Sequence, residues 1–214
     1  MEKTILQLFP QNRRQFWEKT AAQQESVREI RMRIGQPIFV KRNDGEWFLG
    51  LDGSLTEDIT AAEYAGQQEL DELLKYMCRY SLYAYEEELR QGYLTVEGGH
   101  RIGVAGQAVL AQEGTVRTIK NISCINIRVA HEIKGAAEPV LKHLFCNGRM
   151  RNTLIISPPG YGKTTLLRDM IRNVSNGSPW AGGMTVGVVD ERSELAGCYQ
   201  GVPQLDVGMR TDVL

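Results

Sequence analysis

Residues 153–172 read TLIISPPGYGKTTLLRDMIR, and the fold of the C-terminal part of the chain turns on them. Thr153-Leu154-Ile155-Ile156 is a short apolar run of the kind that forms a buried strand. It leads directly into Ser157-Pro158-Pro159-Gly160-Tyr161-Gly162-Lys163-Thr164-Thr165. Beyond that loop, Leu166, Leu167, Met170, Ile171 and Val174 fall on one helical stripe, with Arg168, Asp169, Arg172 and Asn173 expected to face away from it. Asn176-Gly177 and Pro179 end the helix. Strand, glycine-containing loop, Lys-Thr and helix, in that order, are the context of a nucleoside-triphosphate-binding P-loop.

The residue types follow from the charge of a triphosphate. Such a ligand is wrapped by backbone N–H groups at a helix N-terminus, where the helix dipole also favours negative charge. Gly160 and Gly162 give the backbone that freedom. Lys163 is expected to set its ammonium against the β- and γ-phosphates, the Thr164 hydroxyl to ligate Mg²⁺, and Thr165 to serve the α-phosphate side. Ser157, Pro158, Pro159, Gly160, Tyr161, Gly162, Lys163, Thr164 and Thr165 thus form the candidate ATP-binding loop. The strict pattern has glycine where this chain has Ser157, and serine fits provided its φ is negative. Further on, residues 185–191 (TVGVVDE) read as an apolar strand ending in two acids. In a P-loop enzyme such acids can hold Mg²⁺ or its water and orient the attacking water. Asp190 is therefore a candidate metal ligand and Glu191 a candidate catalytic carboxylate, although an acidic pair also marks an ordinary solvated strand end.

Upstream, Ile30, Met32 and Ile34 alternate with Arg31 and Arg33, the pattern of a half-buried strand. Gly35-Gln36-Pro37 turns the chain into residues 38–40, and Asn43-Asp44-Gly45 turns it again before residues 47–49. Leu70, Leu73, Leu74, Met77, Leu82, Tyr85 and Leu89 follow helical spacing with a break near Ser81. Residues 93–96 and 101–109 flank Gly98-Gly99 as a hairpin, with Gly103 and Gly106 marking a bulge or a close backbone approach. Ile125, Ile127 and Val129 alternate once more. Residues 137–145 predict a short helix ended by Asn147-Gly148, where the domain boundary is placed: residues 1–147 as a small α+β domain, residues 148–214 as the first part of a P-loop domain.

Composition bounds the rest. The 214 residues are 42% hydrophobic and 24% charged with a formal charge of -1, a globular profile with no overall field to gather nucleic acid, and none is expected as a partner. Cys78, Cys124, Cys146 and Cys198 form no CxxC pair, and His100, His131 and His143 show no metal-ligand spacing. The first residues lack the apolar stretch of a signal peptide, and no run of about 18 apolar residues occurs, so a cytoplasmic protein is expected.

The segments TLIISPPGYGKTTLLRDMIR, VGVVDERSELAG and YQGVPQLDVGMRTDVL, together with SLYAYEEELRQGY, GGHRIGVAGQAV and INIRVAHEIKGAAEPV, resemble the stage III sporulation protein AA family of endospore-forming bacteria. That family is similar to the ATPases of type II and type IV secretion and pilus systems. The resemblance implies a small α/β N-terminal domain, to which residues 29–37 (EIRMRIGQP) correspond, ahead of a RecA-like motor domain, with subunits in hexameric rings. It implies Mg-ATP hydrolysis energising a membrane-embedded sporulation channel, with the protein held peripherally at the mother-cell face of the forespore membrane. It also recasts VVDERSE as a first acidic box, with Glu191 helping to position water and Glu194 second to it. The downstream Walker B acids and histidine box of those ATPases have no counterpart before Leu214. Residues beyond the P-loop strand offer two strands where sheets commonly have about 5 or 6, so an incomplete motor domain that hydrolyses little by itself is expected. Two other classes fit the P-loop: a small-molecule kinase, which needs an acceptor site and a lid, and a nucleotide-regulated interaction module in which Arg31, Arg33 and Arg128 contact a partner.

Overall fold

The computed structural model describes residues 5–146 and 148–214; Met1–Thr4 and Asn147, with the readings that rest on them, lie outside the described residues. The chain forms two compact units, residues 1–130 and 131–214.

The first unit is a mixed α/β body around a large antiparallel sheet. Helix α1 (Arg14–Ala21) places Trp17 flat against Phe9, ring centroids 4.0 Å apart. Strands β1 (Val27–Arg33), β2 (Phe39–Arg42), β3 (Gly45–Leu49) and β4 (Leu55–Thr56) form the expected meander. Helix α2 (Gln67–Met77), a 3-10 turn at Leu82–Tyr85 and helix α3 (Glu86–Arg90) realise the helical region with its break at Ser81. Strands β5 (Tyr93–Thr95), β6 (Arg101–Leu110) and β7 (Val116–Arg128) complete a seven-stranded sheet in the order β4-β3-β2-β1-β7-β6-β5. Ile30 and Met32 are buried while Arg31 and Arg33 are exposed, because successive side chains of a strand face opposite ways; the register shift between Val27 and Glu29 brings Val27 to the buried side as well. Leu70, Leu73, Leu74 and Met77 of α2 are buried, the spacing that turns one helical face inward.

In this unit the start of β7 differs from the sequence reading, and the bulge expected at Gly103 and Gly106 falls at Gly106. Strand β7 begins at Val116, well before the alternating Ile125 and Ile127; in its first half Val116, Ile119 and Ile122 recur every third residue among polar ones and show no strand period. The β6–β7 register shifts between Ala105 and Gln107, where a Cβ on Gly106 would stand 2.6 Å from the Lys120 carbonyl oxygen. Gly106 therefore marks a bulge with close backbone approach, whereas a Cβ on Gly103 would meet only ordinary contacts.

In the second unit, helix α4 (Glu138–Leu144) precedes a minimal pair, β8 (Phe145–Cys146) and β9 (Arg149–Met150). Helix α5 (Lys163–Asn176) follows the glycine loop, and β10 (Val186–Val188) pairs in parallel with β11 (Thr211–Val213). The division after Ala130, rather than at residue 147, has a packing cause: Ala137, Leu141 and Leu144 form one buried cluster with Met170 of α5. Residues 151–158 form no ladder, and Leu154 and Ile156 are 81% and 83% exposed. The expected buried strand is thus an extended segment whose Ile155 alone packs on the α4–α5 cluster. A strand is buried on both faces only with neighbours and covering helices, and among the described residues β10 pairs with β11 instead.

Candidate functional site

Gly162 caps α5 in the left-handed region at φ 78°, and Gly160 has φ 81°. No atom stands within 4 Å of where a Cβ on either would be, so the loop crest is open. Ser157 is not among the non-glycine residues with positive φ, which meets the condition for serine at that position. The Leu166 amide makes the first helical bond, to the Gly162 carbonyl, so the amides of Lys163, Thr164 and Thr165 are those a helix N-terminus leaves for a ligand. The Lys163 ammonium folds back over the loop, donating to the Ser157 carbonyl at 2.8 Å and the Pro158 carbonyl at 2.9 Å. Pro158, Pro159, Gly160 and Tyr161 are exposed, and Thr164 and Thr165 half-buried. The loop thus gathers a lysine cation, two hydroxyls and free amides around an open crest, a donor set suited to phosphate oxygens.

The two acids lie at the same end of the unit. The Met184 amide donates to the Val174 carbonyl, and the Arg210 amide donates to the Ser175 hydroxyl, so the C-terminus of α5 meets the starts of β10 and β11. Ile171 of α5 shares a buried cluster with Val188, Ala196 and Val207. The helix therefore runs antiparallel to both strands, and its N-terminal Lys163 lies toward the end of β10 that leads into Asp190 and Glu191. Glu191 is exposed. Asp190, expected as a Mg²⁺ ligand, accepts from three amides: Glu194 at 2.9 Å through one oxygen, and Leu195 at 3.0 Å and Ala196 at 2.8 Å through the other. The short spacing of residues 190–196 lets its carboxylate cap the turn that follows it.

Arg168 and Asp169, expected on a solvent face, are 8% and 3% exposed. Amphipathic spacing misses them because α5 is covered on both sides, by α4 and by the β10 turn. Arg168 donates to the carbonyls of His131, Glu194 and Leu195. Burial pulls its pKa down from the usual guanidinium value, with Glu132 and Asp190 opposing that shift. Asp169 accepts from the Ala137 amide at 2.8 Å and twice from Arg172, at 2.9 and 2.6 Å. Burial pushes its carboxyl up, but the Ala137 amide and Arg172 outweigh this and hold it below the ordinary value.

The second unit thus sets an open glycine loop at a helix N-terminus, lays that helix antiparallel on two parallel strands and carries an acidic turn after β10; the first is built on an antiparallel sheet. The chain belongs to the family Sporulation stage III, protein AA, whose profile matches residues 1–214. It is 43% identical over 189 residues to Stage III sporulation protein AA of Bacillus subtilis (strain 168), covering 88% of this chain and 57% of that protein. The chain thus spans little more than half the length of that relative. Among solved structures it is similar to the X-ray structure of the Legionella pneumophila ATPase DotB, with TM-score 0.43, 15% identity and coverage of 92% of this chain and 49% of that one. The Yersinia pseudotuberculosis ATPase DotB gives TM-score 0.44, 12% identity and coverage of 86% and 47%. Among the described residues no helix is long and apolar enough to cross a membrane.

Proposed function

We propose that the protein is a Mg-ATP-dependent ATPase acting in sporulation, with residues 157–165 as its phosphate-binding loop. The observation that carries this reading is Lys163: its ammonium is held at 2.8–2.9 Å by two carbonyls of its own loop, beside left-handed Gly160 and Gly162. A phosphate with more negative charge than a carbonyl displaces those contacts, so the cation is already in place for the β- and γ-phosphates. Mg²⁺ would be held by the Thr164 hydroxyl and would supply positive charge against that developing on the transferring group. Asp190 keeps its oxygens on the backbone, and Glu191, exposed after β10, orients the attacking water.

The rest of the reading concerns the whole protein. Subunits assemble into a ring, as the sequence resemblance implies, and the ring drives a membrane-embedded sporulation channel from the mother-cell side. Acceptor-free ATP turnover by the full-length protein tests the enzyme class. We expect Mg-dependent phosphate release without any acceptor, and Glu191→Gln to retain nucleotide binding while turnover drops by about 10²-fold or more. Turnover that requires an added acceptor points to a kinase instead, and no turnover at all leaves nucleotide as a regulator of binding.

A further inference from the structure

The P-loop helix carries a buried cation that phosphate binding does not use. In the second turn of α5, Arg168 donates through Nη2 to the Glu194 carbonyl at 2.8 Å and through Nε to the Leu195 carbonyl at 2.5 Å. Asp190 accepts from the amides of Glu194, Leu195 and Ala196. The peptide groups joining Glu194 to Leu195 and Leu195 to Ala196 are therefore held at both poles, carbonyl by cation and amide by carboxylate. Between these anchors Ser193 sits at φ 48°, a left-handed conformation that a serine keeps only when its surroundings enforce it. Glu191 lies inside the gripped turn with its own side chain exposed.

We infer that Arg168 is a positioning residue for hydrolysis: by holding the Glu194 and Leu195 carbonyls it fixes residues 190–196, and with them the Glu191 carboxylate, against the helix that presents Lys163. The inference rests on the ATPase reading above. A planar fork suits two adjacent carbonyls where the point charge of lysine reaches one. Because phosphoryl transfer depends on the placement of its water-orienting group, a shift of about 1 Å in this turn costs about 10²-fold in rate.

The test is a double-mutant cycle in the full-length protein with Arg168→Gln, Glu191→Gln and the double variant, reading the Kd of a fluorescent ATP analogue, acceptor-free kcat and Tm. We expect Arg168→Gln to leave Kd within about threefold while kcat falls about 10–100-fold, and the double variant to be no slower than Glu191→Gln alone. Arg168→Lys should fall between wild type and Arg168→Gln, and it takes over the cycle if Arg168→Gln does not fold. Additive losses in the double variant, or Kd and kcat worsening in step, overturn the assignment while leaving the ATPase reading in place. A wild-type protein with no turnover removes the ATPase reading, and the positioning role with it, before any variant is compared.

Discussion

A buried charge is tolerated only when its neighbours replace the water it has lost. Arg168 and Asp169 meet that demand with backbone partners and Arg172. Neither was legible in the sequence: they sit at positions that helical periodicity assigns to solvent, and only a second covering layer buries them. The glycine loop ahead of α5 was legible because its geometry is local: Gly160 and Gly162 take the left-handed backbone that the turn into the helix needs, and only chain neighbours are required for that. Asp190 was legible as a carboxylate at a strand end but not in its engagement, since its amide donors lie four to six residues on. Asp169 gives a pH prediction with a defined sign. Its folded-state pKa is lowered, so its stabilisation is fully present above the unfolded value of about 4 and is lost as pH falls through the folded value. The Tm difference between wild type and Asp169→Asn, followed from pH 7 to pH 2.5, should be constant down to about pH 4 and then shrink. A gap that is unchanged at pH 2.5 would show that the ionised carboxylate contributes nothing.

At the scale of elements, those read correctly are those whose burial is one-sided. β1 and α2 each show a face, and the period of each is visible in residues 27–33 and 67–77. The elements misread are those whose state depends on distant partners. The first half of β7 is a strand because β6 pairs with it, while its Val116, Ile119 and Ile122, three residues apart, give no strand period to read. Residues 153–156 look like a core strand because they are apolar, yet no described strand pairs with them. The bulge at Gly106 offers a test of the β6–β7 pairing. Gly106→Ala places a methyl 2.6 Å from the Lys120 carbonyl and 2.9 Å from that of Asn121, both backbone atoms that cannot swing aside. We expect a loss of about 1–3 kcal/mol, read by urea denaturation, with Gly103→Ala costing less because its nearest neighbour is at 3.7 Å. Equal losses at the two positions would contradict the close approach at Gly106.

At the scale of the molecule, the two units differ in how fully each closes its core. The first buries Ile30, Met32, Ile38, Val40, Leu94, Ile102, Ile125 and Ile127 almost completely under α2 and the sheet. Residues 1–130 alone are therefore expected to unfold in one cooperative transition by circular dichroism; a broad, non-cooperative melt would show that the sheet depends on the second unit. The second unit exposes Leu154, Ile156, Val189, Met209 and Leu214 together with two short parallel strands. The claim on which the rest stands is that residues 157–165 bind a nucleoside triphosphate through Lys163. Its most direct test is titration of a fluorescent ATP analogue with Mg²⁺ against full-length wild type and Lys163→Ala: the account predicts saturable binding by wild type, weakened about 10–100-fold in the variant as one charge-assisted contact is lost, and equal affinity in the two proteins would contradict it.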